Sequence, residues 1–279
     1  MPHVVVYLQA VKYNYKFMFV HDISPVLVEI GSISLRWYGV LFALGIVINY
    51  LVLMWVFKRE GEKIETLDSL VLYLFFGLVI GARLGHVFFY DWEYYSQHFS
   101  EILMIWRGGL ASHGAAIGLL ISYLLWIWRH KVHFTKYPDL LVIAMPITAG
   151  VVRLGNFFNS EIIGLPTNGN WGVVFKRLGE DFPRHPSQLY EAGLSFAIFI
   201  ILFVLYLKFY RKLPKLFILF TYILLYFSTR FLVEFWKERQ TVAADFPLTM
   251  GQILSILPIL LAIGYFVILF VLFRRGIRK

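Results

Sequence analysis

Residues 140–158 read Leu140-Leu-Val-Ile-Ala-Met-Pro-Ile-Thr-Ala-Gly-Val-Val-Arg-Leu-Gly-Asn-Phe-Phe158, an apolar run that contains one arginine, Arg153. About 20 such residues are enough for a helix to cross a bilayer. An arginine near the centre of a membrane helix costs roughly 2.5–3.5 kcal/mol on insertion scales. Arg83 and Arg230 also lie within, or at the end of, apolar runs. We therefore expect these arginines to hold an anion, and the phosphate of a lipid headgroup is the nearest one available.

The composition indicates a membrane protein with several spans. Of the 279 residues, 59% are hydrophobic, whereas soluble domains are about 45–50% apolar. The mean hydropathy is +0.69. The net charge of +9 is interpreted as basic cytoplasmic loops, because no basic stripe on a soluble module indicates nucleic-acid binding. The absence of cysteine excludes disulfides, a cysteine nucleophile and thiolate metal sites, and no motif calls for a metal or a cofactor.

The hydropathy pattern predicts an all-α fold with seven transmembrane helices. They lie near 37–57, 67–90, 110–128, 139–158, 187–207, 216–235 and 251–273. Residues 1–36 are interpreted as an amphipathic arm at the membrane surface, 159–186 as a small outer cap and 274–279 as a basic tail, around a bundle at 37–273. Within the cap, Trp171-Gly-Val-Val-Phe175 predicts a short strand.

The distribution of Lys and Arg predicts the orientation. Basic residues are dense in the segments 58–66, 129–138, 208–215 and 274–279. They are sparser in the alternate, mostly longer segments 1–36, 91–109, 159–186 and 236–250. The dense side is expected to be cytoplasmic. The C-terminus is then inside, the N-terminus is outside, and Arg153 lies near the outer face.

Three polar residues are predicted to share one face of the fourth span. At about 100° per residue, Arg153, Asn156 and Ser160 fall within about 60° of one another. A guanidinium beside an amide is suited to phosphate oxygens. Glu161 could orient the arginine. The alternative is an Arg–Glu pair that only joins helices.

The sixth span shows a similar pattern. Tyr226, Arg230, Glu234 and Lys237 would form one polar stripe, and Arg230 and Glu234 could pair at i,i+4. The alternative is a structural ion pair near the interface. If Arg153 and Arg230 face one outer cavity, they would bind a phosphodiester from two sides.

Four further positions are polar candidates with structural alternatives. His113, among small residues, could act as a general base or be a hydrogen-bonded structural group. Arg83 could bind phosphate or tether the loop 91–109. Tyr38 could contact substrate or belong to the interfacial aromatic belt. Glu191 lies in the first turn of the fifth span, behind Ser187 as a possible N-cap, in a segment with more polar groups than a cap requires.

Seven segments together resemble the prolipoprotein diacylglyceryl transferases over residues 22–273. They are Leu35-Arg-Trp-Tyr-Gly39, Gly81-Ala-Arg-Leu-Gly85, Gly109-Leu-Ala-Ser-His-Gly114, Arg153-Leu-Gly-Asn-Phe-Phe-Asn-Ser-Glu-Ile-Ile-Gly164, Arg184-His-Pro-Ser-Gln-Leu-Tyr-Glu191, Arg230-Phe-Leu-Val-Glu-Phe235 and Met250-Gly-Gln-Ile-Leu-Ser-Ile256. The resemblance implies a multi-pass enzyme of the bacterial cytoplasmic (inner) membrane, with seven spans and the N-terminus outside. It implies transfer of the diacylglyceryl group of phosphatidylglycerol to the lipobox cysteine of a preprolipoprotein signal peptide, with release of glycerol phosphate.

The resemblance also implies roles for particular residues. The family's essential arginines match Arg153 and Arg230, and its histidine matches His113. Other functionally important positions of the family match Asn156, Glu161, Gly164, Glu234 and Tyr38. The expected partners are phosphatidylglycerol, signal peptides and membrane lipids, with no nucleic acid.

We expect the arginines, with Asn156, to stabilise charge on the departing phosphate, while His113 or Glu234 deprotonates the substrate thiol. Arg83 and Tyr226 complete the predicted substrate-binding set. Two rival hypotheses are a secondary transporter that binds an anion between paired arginines, and a non-catalytic lipid-binding scaffold. Against the transporter, the polar residues cluster toward one face, whereas transporter sites lie near the midplane.

Overall fold

The computed structural model describes residues 18–31, 33–169, 171–239 and 247–276. In chain order the strands are β1 (Met18–His21), β2 (Val26–Ile30), β3 (Ile33–Arg36) and β4 (Gly172–Phe175). The helices are α1 (Trp37–Arg59), α2 (Ile64–Phe89), α3 (Trp92–Tyr95), α4 (Ser112–His130), α5 (Pro138–Leu141), α6 (Met145–Phe158), α7 (Ser187–Phe209), α8 (Phe217–Val233) and α9 (Met250–Arg274). Short 3-10 turns occupy Phe99–Leu103, Ile105–Arg107, Lys176–Leu178, Tyr210–Lys212 and Glu234–Trp236.

Six helical segments of the described chain are long and apolar enough to cross a membrane. They are Trp37–Arg59, Ile64–Phe89, Pro138–Phe158, Ser187–Lys212, Phe217–Trp236 and Met250–Arg274. Each corresponds to a span predicted from hydropathy, so the multi-pass architecture is confirmed. The seventh predicted span corresponds to α4, a helix of 19 residues that is not among the six. Its crossing of the membrane stays a prediction.

The fold is mostly helical, but the all-α prediction omits two small sheets. β1 pairs in parallel with β4, from Met18 opposite Gly172 to His21 opposite Phe175. β2 pairs antiparallel with β3. The strand predicted at 171–175 is confirmed as β4. The predicted arm 1–36 contains β1, β2 and β3, while its first 17 residues lie outside the described ranges. These strands are short and rich in Val, Ile and Phe, which favour extended backbone.

The chain divides into two compact units. One comprises Met1–Tyr50, Val142–Leu213 and Phe217–Lys279, and the other comprises Leu51–Leu141 and Pro214–Leu216. The division into arm, bundle and cap that the sequence suggests is a different one, and it stays a prediction.

In the first unit, α6 packs against α7, α7 against α8, and α8 against α9. The middle of α1 joins α6 through Asn49, whose Nδ2 donates to the carbonyl of Ala144 and to Oγ1 of Thr148, each over 3.0 Å. β1 and β4 cover the carboxyl end of α6, where Phe157 and Phe175 enclose His21. Helices α1 and α7 and a small sheet thus lie against α6, which carries Arg153.

In the second unit, α2 and α4 pack closely through glycines. Gly77, Gly81 and Gly85 on α2 meet Gly114 and Gly118 on α4, and a Cβ atom at any of them would collide with the facing helix. Small residues let two backbones approach in a membrane, so this contact explains the glycines at positions 114 and 118.

Candidate functional site

Arg153 and Asn156 share one face at the carboxyl end of α6. Nη1 of Arg153 donates to Oδ1 of Asn156 over 3.2 Å, and Nδ2 of Asn156 donates to Oε2 of Glu161 over 3.3 Å. Asn156 is buried and Arg153 is partly buried. The two donor groups therefore lie side by side, as the spacing predicts. Ser160 does not continue this face, because α6 ends at Phe158.

The chain leaves α6 through a tight turn that returns Glu161 to the helix. Ser160 and Ile162 have φ of 55° and 56°, a left-handed conformation that costs about 1–3 kcal/mol for a residue with a side chain. The amide of Glu161 donates to the carbonyl of Asn156 over 2.9 Å. Its exposed carboxylate also accepts from Nδ2 of Asn159 over 3.2 Å. Glu161 therefore contacts Asn156 through both its backbone and its side chain. It orients the side-chain amide of Asn156 rather than the guanidinium of Arg153.

Arg153 forms an ion pair with a residue of α7. Its Nε lies 2.7 Å from Oε2 of Glu191. Ser187 and Gln188, in the first turn of α7, bind the carbonyls of Ile162 and Glu161 over 2.9 and 2.7 Å. The polar residues that open α7 therefore attach it to the turn after α6 and place Glu191 against Arg153.

The structure corrects the polar stripe predicted on α8. The α-helix ends at Val233, and residues Glu234–Trp236 form a 3-10 turn. Within the described residues, Glu234 pairs with Lys237 over 2.6 Å and not with Arg230. The predicted pair forms no hydrogen bond or salt bridge, because the i,i+4 geometry that it needs is lost where the helix ends, but Arg230 and Glu234 still attract each other electrostatically.

Glu234 is also fixed by the start of α9. Oγ1 of Thr249 donates to Oε2 of Glu234 over 2.8 Å. Thr249 and Gln252 form a capping box, in which each side chain binds the backbone amide of the other. Gly251 leaves space for the carboxylate, since a Cβ atom there would lie 2.5 Å from Cδ of Glu234. Both oxygens of Glu234 are thus held by neighbouring groups.

Arg230 lines the same two cavities as Arg153. One, of about 170 Å³, is bounded by both arginines together with Glu234 and Lys237. The other, of about 10 Å³, lies between both arginines, Glu191 and Tyr226. Arg230 makes no hydrogen bond or ion pair with any residue of the described ranges. Two helices therefore bring two guanidiniums to a shared space, and one of them is available to a ligand.

Gly164 lies where three backbone segments cross. Its amide donates to the carbonyl of His185 over 3.1 Å, it forms a bridge with Lys237, and a Cβ atom would lie 2.8 Å from the carbonyl oxygen of Trp236. Nη1 of Arg184 donates to the Gly164 carbonyl over 3.0 Å. The structure thus gives Gly164 a packing reason to be glycine. Its predicted part in substrate binding stays a prediction.

Arg184 is itself held by a bidentate pair. Its Nε and Nη2 each lie 2.6 Å from an oxygen of Glu180. Hydrogen bonding to Glu180 raises the pKa of Arg184 above its ordinary value. This pair keeps the segment 180–185 in place above the crossing at Gly164.

Tyr38, on the first turn of α1, packs against α6. A Cβ atom at Gly155 would lie 2.8 Å from Cδ2 of its ring. The ring is partly buried and also stacks on Phe42. Tyr38 thus lies beside the helix that carries Arg153 and Asn156.

His113 and Arg83 belong to the second unit. His113 lies in the first turn of α4 and is exposed. Arg83 is buried, and its guanidinium donates to the carbonyls of Glu101, Ile102, Gly108 and Gly109 over 2.6–3.1 Å. It also lies over the ring of Tyr95. These contacts support the interpretation of Arg83 as a tether for the loop 91–109; its role in substrate binding stays a prediction.

Two charged residues at the centre of the site were outside the predicted set. The sequence places Glu191 in the first turn of the fifth span and Lys237 at the end of a polar stripe on the sixth. The signal for Glu191 was the surplus of polar groups in the segment 183–191. Lys237 gave none beyond its distance from Arg230 along the chain. In the described part of the chain, no group of three His, Asp or Glu side chains is suited to a metal ion.

Comparison with known proteins relates the chain to one family. A family model described as prolipoprotein diacylglyceryl transferase matches residues 25–268. A phosphatidylglycerol–prolipoprotein diacylglyceryl transferase of Tolumonas auensis is 43% identical over 241 residues, which cover 86% of this chain and 92% of the relative. Proteins of the same name from Chloroherpeton thalassium and Bacteroides fragilis are 41% and 40% identical, over 87% and 84% of this chain and 91% and 88% of their own lengths.

Proposed function

Because the chain belongs to the prolipoprotein diacylglyceryl transferase family, we propose that it transfers the diacylglyceryl group of phosphatidylglycerol to a cysteine thiol of a prolipoprotein. The names of the relatives state both substrates. The helices that are apolar enough to cross a membrane are suited to a lipid substrate.

One observation carries this proposal: Arg153 and Arg230, from α6 and α8, line a shared cavity in which Arg230 makes no hydrogen bond or salt bridge with the described residues. A phosphodiester carries one negative charge and free oxygens that accept from arginine. Guanidiniums bind such oxygens in a fixed planar geometry. The pair is therefore matched to the headgroup of phosphatidylglycerol.

In the reaction, the substrate sulfur attacks the glyceryl carbon that bears the phosphate. A carbon–sulfur bond forms and the carbon–oxygen bond to phosphate breaks, with both electrons leaving on oxygen as glycerol phosphate. Arg153, Asn156 and Arg230 would stabilise the negative charge that develops on this oxygen. The thiol must come from the substrate, because the chain has no cysteine.

The thiol proton needs an acceptor, and the sequence suggests His113 or Glu234. Both oxygens of Glu234 are engaged, by Lys237 and by Thr249. Glu234 is therefore not free to accept the proton in this arrangement, and we propose His113 as the acceptor. A thiol with a pKa of about 8.5 is only slightly ionised at pH 7, so the arginines would contribute by favouring the thiolate.

The remaining predicted substrate contacts differ in their support. Tyr226 lines the smaller cavity beside both arginines, and Tyr38 packs beside Asn156's helix. Glu161 would act through Asn156, and Gly164 through the backbone crossing. Arg83 would act at a distance by ordering the loop 91–109.

We further propose that α4 is a seventh span. Its 19 residues would extend about 28 Å at 1.5 Å per residue, close to the roughly 30 Å of a hydrocarbon core. With the basic loops in the cytoplasm, the N-terminus lies outside a bacterial cytoplasmic membrane and the C-terminus inside. Phosphatidylglycerol would then enter from the outer leaflet.

The test is mass spectrometry of a lipobox peptide incubated with the purified protein and phosphatidylglycerol. The wild type should add one diacylglyceryl group through a thioether. Arg153→Ala and Arg230→Ala should lower the rate by at least about 100-fold, whereas Arg211→Ala, at an exposed position, should keep it. Wild-type rates in both site variants would end the proposal for the arginines. Absence of product from the wild type would favour the transporter or the scaffold.

A further inference from the structure

Lys237 is buried between two carboxylates in the wall of the larger cavity. Its Nζ lies 2.6 Å from Oε1 of Glu234 and 3.4 Å from Oε1 of Glu191. Lys237, Glu191 and Glu234 are only 7%, 8% and 9% exposed. A buried ammonium is unfavourable unless it is paired, and here the ammonium of Lys237 pairs with two carboxylates.

The acids and bases of the site form a connected chain. Arg153 contacts Glu191, Glu191 contacts Lys237, and Lys237 contacts Glu234. Arg230 stands outside this chain although it lines the same cavities. The carboxylates are thus in direct contact with Arg153 and Lys237, whereas Arg230 interacts with Glu234 only through longer-range attraction.

The charges of the cavity walls sum to one excess positive charge. Among the described lining residues, the bases are Arg153, Arg230, Lys237 and Arg239, and the acids are Glu191, Glu234 and Glu238. A phosphodiester headgroup with one negative charge would bring this total to zero. A headgroup without net charge would leave the partly buried guanidinium of Arg230 unmatched.

We propose that Lys237 is a positioning residue that keeps Glu191 and Glu234 out of direct contact with Arg230, and that it thereby makes the site selective for a lipid with one net negative charge. This inference rests on the proposed function. It adds a source of selectivity that the arginines alone do not provide, since Glu234 would otherwise compete with the phosphate for Arg230.

The physical reason is the effect of replacing Lys237 with an uncharged residue. Oε1 of Glu234 then loses its hydrogen-bonded cation, and breaking one partner of a buried pair leaves an uncompensated charge. Arg230 lines the same cavity as Glu234 and is the base that can replace the ammonium. The net charge of the walls falls to zero and the guanidinium is no longer available to a phosphate.

The experiment measures binding of fluorescently labelled phosphatidylglycerol, and of the zwitterionic phosphatidylcholine, to the detergent-solubilised full chain. Lys237→Met keeps the aliphatic stem and should weaken phosphatidylglycerol binding by at least about tenfold, with little change for phosphatidylcholine. Lys237→Arg keeps the charge and should restore the affinity. The double variant Lys237→Met with Glu234→Gln removes the competing acid and returns the excess charge to one, so it should also recover phosphatidylglycerol binding.

Three outcomes would overturn the inference. They are unchanged affinity in Lys237→Met, equal loss for both lipids, and failure of the double variant to recover. If Lys237→Met does not fold, the double variant and Lys237→Arg decide, because both keep the net charge and both must bind phosphatidylglycerol selectively. Thioether formation by the wild type is measured separately, so a failure of the proposed reaction is distinguished from a failure at Lys237.

Discussion

The ring of Tyr38 lies on the backbone of Gly155, so that a Cβ atom at position 155 would be 2.8 Å from Cδ2 of the tyrosine. The first turn of α1 is thus placed directly against the helix that carries Arg153 and Asn156. The absence of a side chain at Gly155 sets this distance.

Gly155→Ala should therefore displace Tyr38 or tilt α6. A shift of about 1 Å in a positioning group can lower a rate by up to about 100-fold, so we expect a fall of about tenfold or more in thioether formation. The matched control is Gly193→Ala on α7, where a Cβ atom meets nothing within 4 Å. Equal rates in the two variants would show that the contact has no part in the reaction.

Gly118→Ala should destabilise the pairing of α2 and α4. The new methyl group would collide with backbone atoms of Gly77 and Gly81, and overpacking of this kind costs about 1–3 kcal/mol. The measurement is the midpoint of thermal unfolding in detergent. Gly264→Ala on α9, which has open space, should leave the midpoint unchanged or raise it slightly, because alanine favours the helix. A seam that tolerates the methyl group would give the two variants the same midpoint.

Arg184→Met should lower the stability of the protein more than a substitution that removes an exposed ion pair. Glu180 would keep a partly buried charge without its bidentate partner, and the Gly164 carbonyl would lose a donor. Breaking a buried pair costs about 3–5 kcal/mol. The control is Lys176→Ala, which removes the exposed pair with Asp22 at 3.5 Å and should cost at most about 1 kcal/mol. Thermal unfolding of both variants measures the difference, and similar midpoints would contradict the role given to the pair.

The stability of the protein should fall as the pH decreases through about 6.5, because of His21. Its ring is fully buried between Phe157 and Phe175, and neither nitrogen has a partner among the described residues. Burial lowers the pKa of His21 below its ordinary value of 6.5, and nearby Arg177 acts in the same direction.

The sign follows from proton binding. Below the ordinary pKa the unfolded chain binds a proton at His21 that the folded chain does not accept, so protonation favours unfolding. The loss cannot exceed about 1.4 kcal/mol per pH unit for one group. Thermal unfolding between pH 7.5 and 5.5 should show a steeper decline in the wild type than in His21→Leu. Parallel declines would show that His21 does not carry the effect.

The two ends of the chain should be on opposite sides of the membrane if α4 is a span. The chain has no cysteine, so Asp22→Cys and Arg275→Cys each introduce a unique thiol at an exposed position. A membrane-impermeant maleimide should label Asp22→Cys in intact spheroplasts, and Arg275→Cys only after lysis. The wild type is the blank. Labelling of both thiols from outside would mean an even number of crossings.

The long apolar helices could be predicted from the sequence because each one follows from local composition. The strand at 172–175 could also be predicted, since Val173 and Val174 favour extended backbone. The end of α8 could not. No glycine or proline marks it, and Val233 is followed by Glu234, whose carboxylate is bound by Thr249. Tertiary contacts therefore end the helix and redirect Lys237.

In the site too, contacts between residues close in sequence could be predicted and contacts between distant residues could not. Arg153 and Asn156 are three residues apart, and helical geometry alone puts them side by side. Glu191 meets Arg153 only because α7 packs against α6, and such a distant pairing is not readable from one sequence. The chain of charges through Lys237 joins three segments, which are α6, α7 and residues 234–237, and only the folded structure shows it.

The capping of α9 has a consequence for how a headgroup is recognised. The amino end of a helix attracts anions through its free amides and its dipole, yet here that end is occupied by Glu234, a counter-ion that belongs to the protein. A lipid phosphate would therefore meet planar guanidiniums instead of a ring of backbone amides. Discrimination between headgroups then depends on the direction of a few N–H bonds, and a lysine at position 153 or 230 would preserve the charge while losing that geometry.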